Sequence, residues 1–249
     1  MQICVAVLVA IVVLSPAFPA PLTLVVPNGN TSTPGNSTDS IEGGPLDIRF
    51  QQIYGSGQFS AAPAHLLITE FALRAAPGTG PETLSAGWLD LYASTTPYFP
   101  NTGAGLPLFV TDTFATNLGP DNTLVFSGPL ALESPGCPGP GVCPFDLSVP
   151  LTTPFLYERM KGRLLLDFHF VGLSGDGWLD ARIFNYPPGG GVASLTAPLG
   201  ELTGEVFTEG VITRFTYQEV PEPASSALLL GGLSTAALLE GQRRRGPKA

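Results

Sequence analysis

Imidazole and thiol groups are scarce in this chain, which has two histidines and three cysteines in 249 residues. His65 and His169 lie far apart with no companion ligand beside either, so no closed zinc signature is present. Charge is scarce as well: Asp, Glu, Lys and Arg make up 12% of the chain, with 11 bases against 20 acids and a formal net charge of -9. Four of those bases, Arg243, Arg244, Arg245 and Lys248, sit in the last seven residues; the stretch from Phe18 to Val220 holds 7 bases against 18 acids, a net of -11. So acidic a body repels phosphate backbones, which argues against a nucleic-acid partner. Long amphipathic helices are missing too, and Glu158 to Gly162 could form at most one helical turn.

What remains is rich in turns and in apolar side chains, with 30 glycines, 26 prolines and 44% hydrophobic residues. That balance suits one β-rich domain rather than a highly charged disordered chain. Apolar and β-branched runs recur between turn signals at Leu46–Phe50, Ala64–Ala72, Trp88–Ala93, Thr123–Phe126, Leu164–Phe170, Trp178–Phe184 and Val211–Tyr217. In Leu164–Phe170 the alternation places Leu164, Leu166, Phe168 and Phe170 on a core face, and Leu165, Asp167 and His169 on a mostly wet one. Ile212–Gln218 alternates in the same way, with Phe215 and Tyr217 opposite Arg214 and Thr216. Two antiparallel sheets packed face to face bury both sets of apolar faces. The expected fold class is therefore all-β, an antiparallel β-sandwich over residues 45–218, with jelly-roll wiring one way to connect it.

Both ends read as addresses. Ile3 to Leu14 is apolar, too short for an ordinary spanning helix and suited to a signal-peptide core, with Ser15-Pro16-Ala17 supplying small residues for cleavage after residue 17. Residues 18–44 then read as a flexible low-complexity leader, with almost no large apolar side chain from Pro27 to Gly44. At the other end, Ala224 to Leu239 is uncharged, and as a helix covers about 24 Å of a hydrocarbon core of about 30 Å. Pro221 and Pro223 would leave Val220–Pro223 as an exposed, extended connector.

Val220, Pro221, Glu222 and Pro223, followed by an apolar segment and then Arg243, Arg244 and Arg245, resemble the PEP-CTERM sorting signal of exported bacterial proteins. The resemblance covers about the last 30 residues, 219–249. It implies a recognition motif at Val220–Pro223, a hydrophobic transmembrane sorting helix, a basic retention block at Arg243–Arg245, and processing by a membrane-embedded exosortase after a signal peptidase has acted. Glu240 and the Gly231-Gly232 pair depart from the uninterrupted apolar run of that family. The body, through Arg49–Tyr54, Thr113–Pro129 and Leu151–Phe155, is similar to secreted β-sandwich bodies of some PEP-CTERM proteins, a likeness that implies a fold and no activity. The implied location is the cell envelope, outer surface or extracellular matrix, with a transient or permanent membrane anchor at the C-terminus. Asn30-Thr31-Ser32 and Asn36-Ser37-Thr38 match the eukaryotic glycosylation pattern, and beside a bacterial sorting tail are read as coincidence.

Candidate chemistry is sparse. Cys137 and Cys143 enclose a Pro/Gly turn and are the only cysteines beyond the signal, so in an exported chain they are expected to form a disulfide. GWLD occurs at Gly87–Asp90 and Gly177–Asp180; Trp88 and Trp178 read as core or sheet-edge packing groups, or alternatively as sugar-stacking platforms. Asp176 and Asp180, with Asp90, Asp112 and Asp121, lie in or near turns and are weak calcium candidates; Asp and Asn also favour turns for their own backbone bonding. No cofactor is otherwise implied. Asp167 and His169 have no nucleophile beside them, and Gly172–Asp176 lacks the final glycine of a nucleophile elbow. The leading expectation is an exported, non-catalytic surface or matrix-associated protein. A carbohydrate-binding module that touches extracellular polysaccharide is the alternative, and an envelope polysaccharide hydrolase comes third.

Overall fold

The computed structural model describes residues 20–40, 46–99, 110–175, 177–183 and 191–220. Its architecture is all-β, and every strand pairing is antiparallel. One sheet runs in the order β1 (Leu22–Val26), β13 (Thr213–Glu219), β4 (His65–Leu73), β7 (Leu147–Glu158). The second runs β11 (Glu205–Phe207), β10 (Val192–Pro198), β3 (Leu46–Tyr54), β8 (Arg163–Leu173), β5 (Glu82–Thr96), β6 (Thr123–Ser134). A small third sheet holds β12 (Glu209–Val211), β9 (Trp178–Ile183) and β2 (Ser37–Ser40).

The two larger sheets face each other across one apolar core. Leu164, Leu166, Phe168 and Phe170 of β8 are buried in it, as their alternation requires. Phe168 meets Phe71 of the opposing sheet edge to face, with ring centroids 5.7 Å apart. Tyr54 meets Phe215 in the same way at 5.1 Å. Deep in the core, Gln52 substitutes for a strand: its side-chain amide donates to Val211 O at 2.8 Å and accepts from Val211 N at 2.9 Å. A buried amide satisfied on both sides avoids the desolvation cost of an orphaned one.

Several expectations need correction. The leader over 18–44 is not free: β1 pairs with β13 along its whole length, and β2 pairs with β9. Strand β2, built of Ser, Thr and Asp, gives no apolar signal, but its backbone groups still complete a sheet. Gly35 lies flush against the Ala181 carbonyl, where a Cβ would have no room. The wet face expected for β8 is half covered, because residues 110–118, including the single-turn helix α1 (Phe114–Asn117), fold over it and bury Leu165 with Ile53, Val110 and Ala193.

The hydrophobic sorting helix expected within 219–249 is also corrected, together with the transmembrane span, the exosortase-substrate reading, and the membrane partner and anchored location built on it. Among the described residues no helix is long and apolar enough to cross a membrane, and α1 has four residues. Glu219 still belongs to β13, and Val220, only partly exposed, donates its N–H to His65 O. Pro221, Glu222, Pro223, the apolar run Ala224–Leu239 and Arg243–Arg245, like the signal peptide at 1–17, lie outside the described residues.

Cys137 and Cys143 form the expected disulfide. The bridged loop is also stitched to the β4–β5 connection: Cys137 N donates to Thr79 O at 3.0 Å, and Gly78 N donates to Cys137 O at 2.7 Å. Gly136 enters this loop at φ +83°, against the Gly80 carbonyl, a position closed to any L side chain. The C137S/C143S variant is expected to lose about 2 kcal/mol in urea unfolding, the chain-entropy value for so short a loop. An unchanged midpoint would assign the loop's order to the backbone bonds alone.

Candidate functional site

Trp88, Asp90 and Tyr92 alternate along β5 on the outer face of the six-stranded sheet. Their partners on β8 are Val171, His169 and Asp167 in register. Trp88 is 46% exposed and Trp178 is 50% exposed, so neither is a core packing group. Within each GWLD the leucine points inward instead: Leu89 and Leu179 are fully buried. A strand with Trp out and Leu in has the alternation of a half-buried sheet, and the sequence could not say which of the two large side chains would face out.

The outer-face strip is built from interlocked polar groups. Trp88 Nε1 donates to Asp90 Oδ1 at 3.0 Å, and Ser127 Oγ on β6 donates to the same oxygen at 2.6 Å. The indole is thereby pinned with its face uncovered and its only donor satisfied. The Tyr92 and His169 rings lie 5.2 Å apart, tilted by 47°. Below them Asp167 is buried and receives a two-pronged bond from Arg49, Nε to Oδ1 at 3.0 Å and Nη2 to Oδ2 at 2.7 Å. His169 Nε2 lies 3.2 Å from Asp167 Oδ2. Burial pushes the Asp167 carboxyl up, but His169 and the Arg49 pair outweigh it and hold the group below the ordinary carboxylate range.

One side of the strip has a wall. The Arg49 guanidinium carbon sits 4.5 Å from the Phe114 ring centroid. Gln51 Nε2 donates to Phe114 O at 3.1 Å, Asn117 Nδ2 donates to Gln51 Oε1 at 3.2 Å, and Thr111 N donates to Asn117 Oδ1 at 2.9 Å. Thus α1 is fixed to the sheet by side-chain bonds, and Trp88, Val171, His169 and Tyr92 remain beside it as a step with an aromatic tread. The sequence singled out Trp88, Asp167 and His169. It did not single out Tyr92, Asp90 or Arg49 as their companions, because register across three strands sets that neighbourhood.

The other candidates fall elsewhere. Trp178 belongs to β9 of the small sheet opposite Ser40, so the two tryptophans do not form one platform. Asp180 is buried against Arg74, Nε to Oδ2 at 2.7 Å, and also accepts from Gly35 N at 2.8 Å. A carboxylate so committed is unsuited to calcium, and Asp176 lies outside the described residues. Asp121 accepts from Thr95 N of β5 at 2.6 Å, tying the loop before β6 to that strand, and Asp112 accepts from the adjacent Thr113 Oγ1 at 3.1 Å. Among the described residues no three His, Cys, Asp or Glu side chains come together as a metal would require. Ser174 exchanges backbone bonds with Ser85 as a strand bridge, which is not the strained turn of a nucleophile elbow.

Both glycosylation-like asparagines have structural work. Asn30 is buried and donates to Pro34 O at 2.8 Å. Asn36 accepts from Ile183 N at 2.9 Å and donates to Ile183 O at 3.3 Å, extending the small sheet by one side-chain rung. Comparison with family models, with curated proteins and with solved structures returned no match.

Proposed function

We propose that this chain is an exported, non-catalytic binding module that holds glycan on the outer face of its six-stranded sheet. The carrying observation is the exposed Trp88 indole, pinned by Asp90 and aligned along β5 with Tyr92 over His169. Pyranose rings present apolar C–H faces edged by hydroxyls, which suits an open aromatic surface bordered by carboxylate, hydroxyl and imidazole groups. Trp88 to Tyr92 spans about 13 Å of strand, a length suited to an oligosaccharide lying along the sheet. The Cys137–Cys143 bond supports an oxidising, extracytoplasmic setting for such a module. The carboxylates of the strip are engaged, Asp90 by Trp88 and Ser127 and Asp167 by Arg49, and neither stands beside a poised nucleophile.

Glycan-array screening followed by tryptophan-fluorescence titration of the best hit tests this reading. Trp88→Ala is expected to weaken binding about 30-fold, the loss of roughly 2 kcal/mol typical of an aromatic anchor, while Trp178→Ala leaves it unchanged. Absence of any glycan hit, or equal affinity for Trp88→Ala and the parent, overturns it. Turnover of a polysaccharide by the purified chain would overturn its non-catalytic part.

A further inference from the structure

The turn Glu158–Arg163 joins β7 to β8 and is the basic spot of an acidic body. Arg159, Lys161 and Arg163 are three of the 7 bases between Phe18 and Val220, and with Glu158 the turn carries a net of +2 in a stretch whose total is -11. These side chains, with Met160 and the Ser56–Gly57 turn, line a pocket of about 280 Å³. Met160 is 79% exposed at its rim.

The turn is held rigidly. Arg159 N donates to Ala64 O at 3.1 Å, and Tyr157 Oη donates to Gly162 O at 2.9 Å from a buried position. Gly162 packs against the Thr96 carbonyl with no space for a Cβ. Arg163 donates through Nη1 to Pro97 O at 2.8 Å, with its guanidinium carbon 3.3 Å from the Phe99 ring centroid. Neither contact offers it a carboxylate. Lys161 reaches Glu158 at 2.6 Å, but the pair is exposed and so of little energetic weight. Arg159 has no carboxylate within ion-pair distance among the described residues, and its Nε is buried with no hydrogen-bond partner there. Cationic side chains that line one pocket with no buried carboxylate to answer them suit an oxyanion.

We propose that the pocket formed by Arg159, Lys161, Arg163 and the Ser56–Gly57 turn binds the carboxylate or sulfate groups of an anionic polysaccharide. Its size admits one or two oxyanion groups and offers no track for a nucleic acid. The surrounding acid repels any broad anionic surface such as a lipid bilayer, while a polymer with spaced charges can place one group in the pocket. This site lies on the β7–β8 turn, uses none of the Trp88 strip, and stands whether or not that strip binds glycan.

The test uses the full oxidised chain, titrated calorimetrically at low salt with a polyuronate, with dextran sulfate and with a neutral glucan. The expected result is binding of at least one polyanion that Arg159→Gln/Lys161→Gln weakens at least tenfold, with the log–log salt slope shallower by about one to two charges. In a Trp88→Ala background the Arg159→Gln/Lys161→Gln pair should still weaken polyanion binding at least tenfold, which separates the pocket from the aromatic strip. Preference for the polyuronate or for dextran sulfate, each of them supporting, names the group as carboxylate or sulfate. If the double variant unfolds, Lys161→Gln alone, at a side chain 67% exposed, should still weaken binding about threefold. No polyanion binding at low salt, equal affinity in the variants, or tighter binding to anionic vesicles or an oligonucleotide than to either polysaccharide overturns the proposal.

Discussion

Replacing Arg74 with methionine is expected to cost about 3–5 kcal/mol in urea unfolding, the penalty for leaving one charge of a buried pair unanswered. Arg74 is fully buried, and its partner Asp180 nearly so. The guanidinium donates from Nη2 to Thr33 O at 3.0 Å and lies 4.8 Å from the Phe145 ring centroid; Nη1 makes no hydrogen bond among the described residues. One residue thus ties β4, β9 and the segment before β2 together, so its loss should loosen the small sheet first. Burial dominates both partners, lowering the Arg74 pKa and raising that of Asp180 despite their mutual attraction.

That direction fixes the pH dependence. A carboxyl raised above its unfolded value of about 3.9 favours the fold while protonated, and this contribution is lost as pH rises through the folded value. Without Arg74, Asp180 is raised further, so the cost of Arg74→Met should shrink at pH 4 relative to pH 7. Arg74→Met/Asp180→Asn, which keeps an acceptor for Gly35 N, should recover at least 2 kcal/mol of the single-variant loss at pH 7. A cost below about 1 kcal/mol, or additive costs in the double variant, would show that water reaches the pair.

Legibility followed the chemistry of each segment. All seven strand runs expected from alternation have counterparts, since β-branched and aromatic residues between Gly and Pro punctuation carry that signal. Strand β7 contains Pro150 and Pro154, which a sequence reader takes as breakers. It tolerates them as an edge strand, where half the N–H groups need no partner. Strand β2, Ser-Thr-Asp-Ser, carries no apolar signal, whereas β1, Leu-Thr-Leu-Val-Val, is an apolar β-branched run masked only by its place beside the signal peptide. Asp167 looked solvated because alternation tells which residues share a face, not what later covers it; residues 110–118 supply that cover. Arg74 gave one weak signal, a lone charge between Leu73 and Ala75-Ala76, and its partner was 106 residues away.

Asp167→Ala is expected to be nearly as costly, about 3–5 kcal/mol, and should change the aromatic strip as well as stability. It strips Arg49 of both its charge-assisted bonds while that side chain stays mostly buried, with 16% exposed, beneath Phe114. It also removes the support under His169, whose ring backs Tyr92. The acid side has the sign opposite to that of Asp180. The Asp167 carboxyl is held below its unfolded value, so its contribution is complete above about pH 4 and disappears as pH falls through the folded value. Parent and Asp167→Asn stabilities should therefore converge on acidification below pH 4, because both then present an uncharged group to Arg49. The Asn variant keeps the shape of the carboxyl but only one acceptor, so at pH 7 it should recover part of the alanine loss. If Asp167→Asn matched the parent at pH 7, the ion pair would contribute nothing beyond packing. If it weakened glycan binding while folding normally, the buried carboxylate would be a positioning residue for the Tyr92–His169 tread.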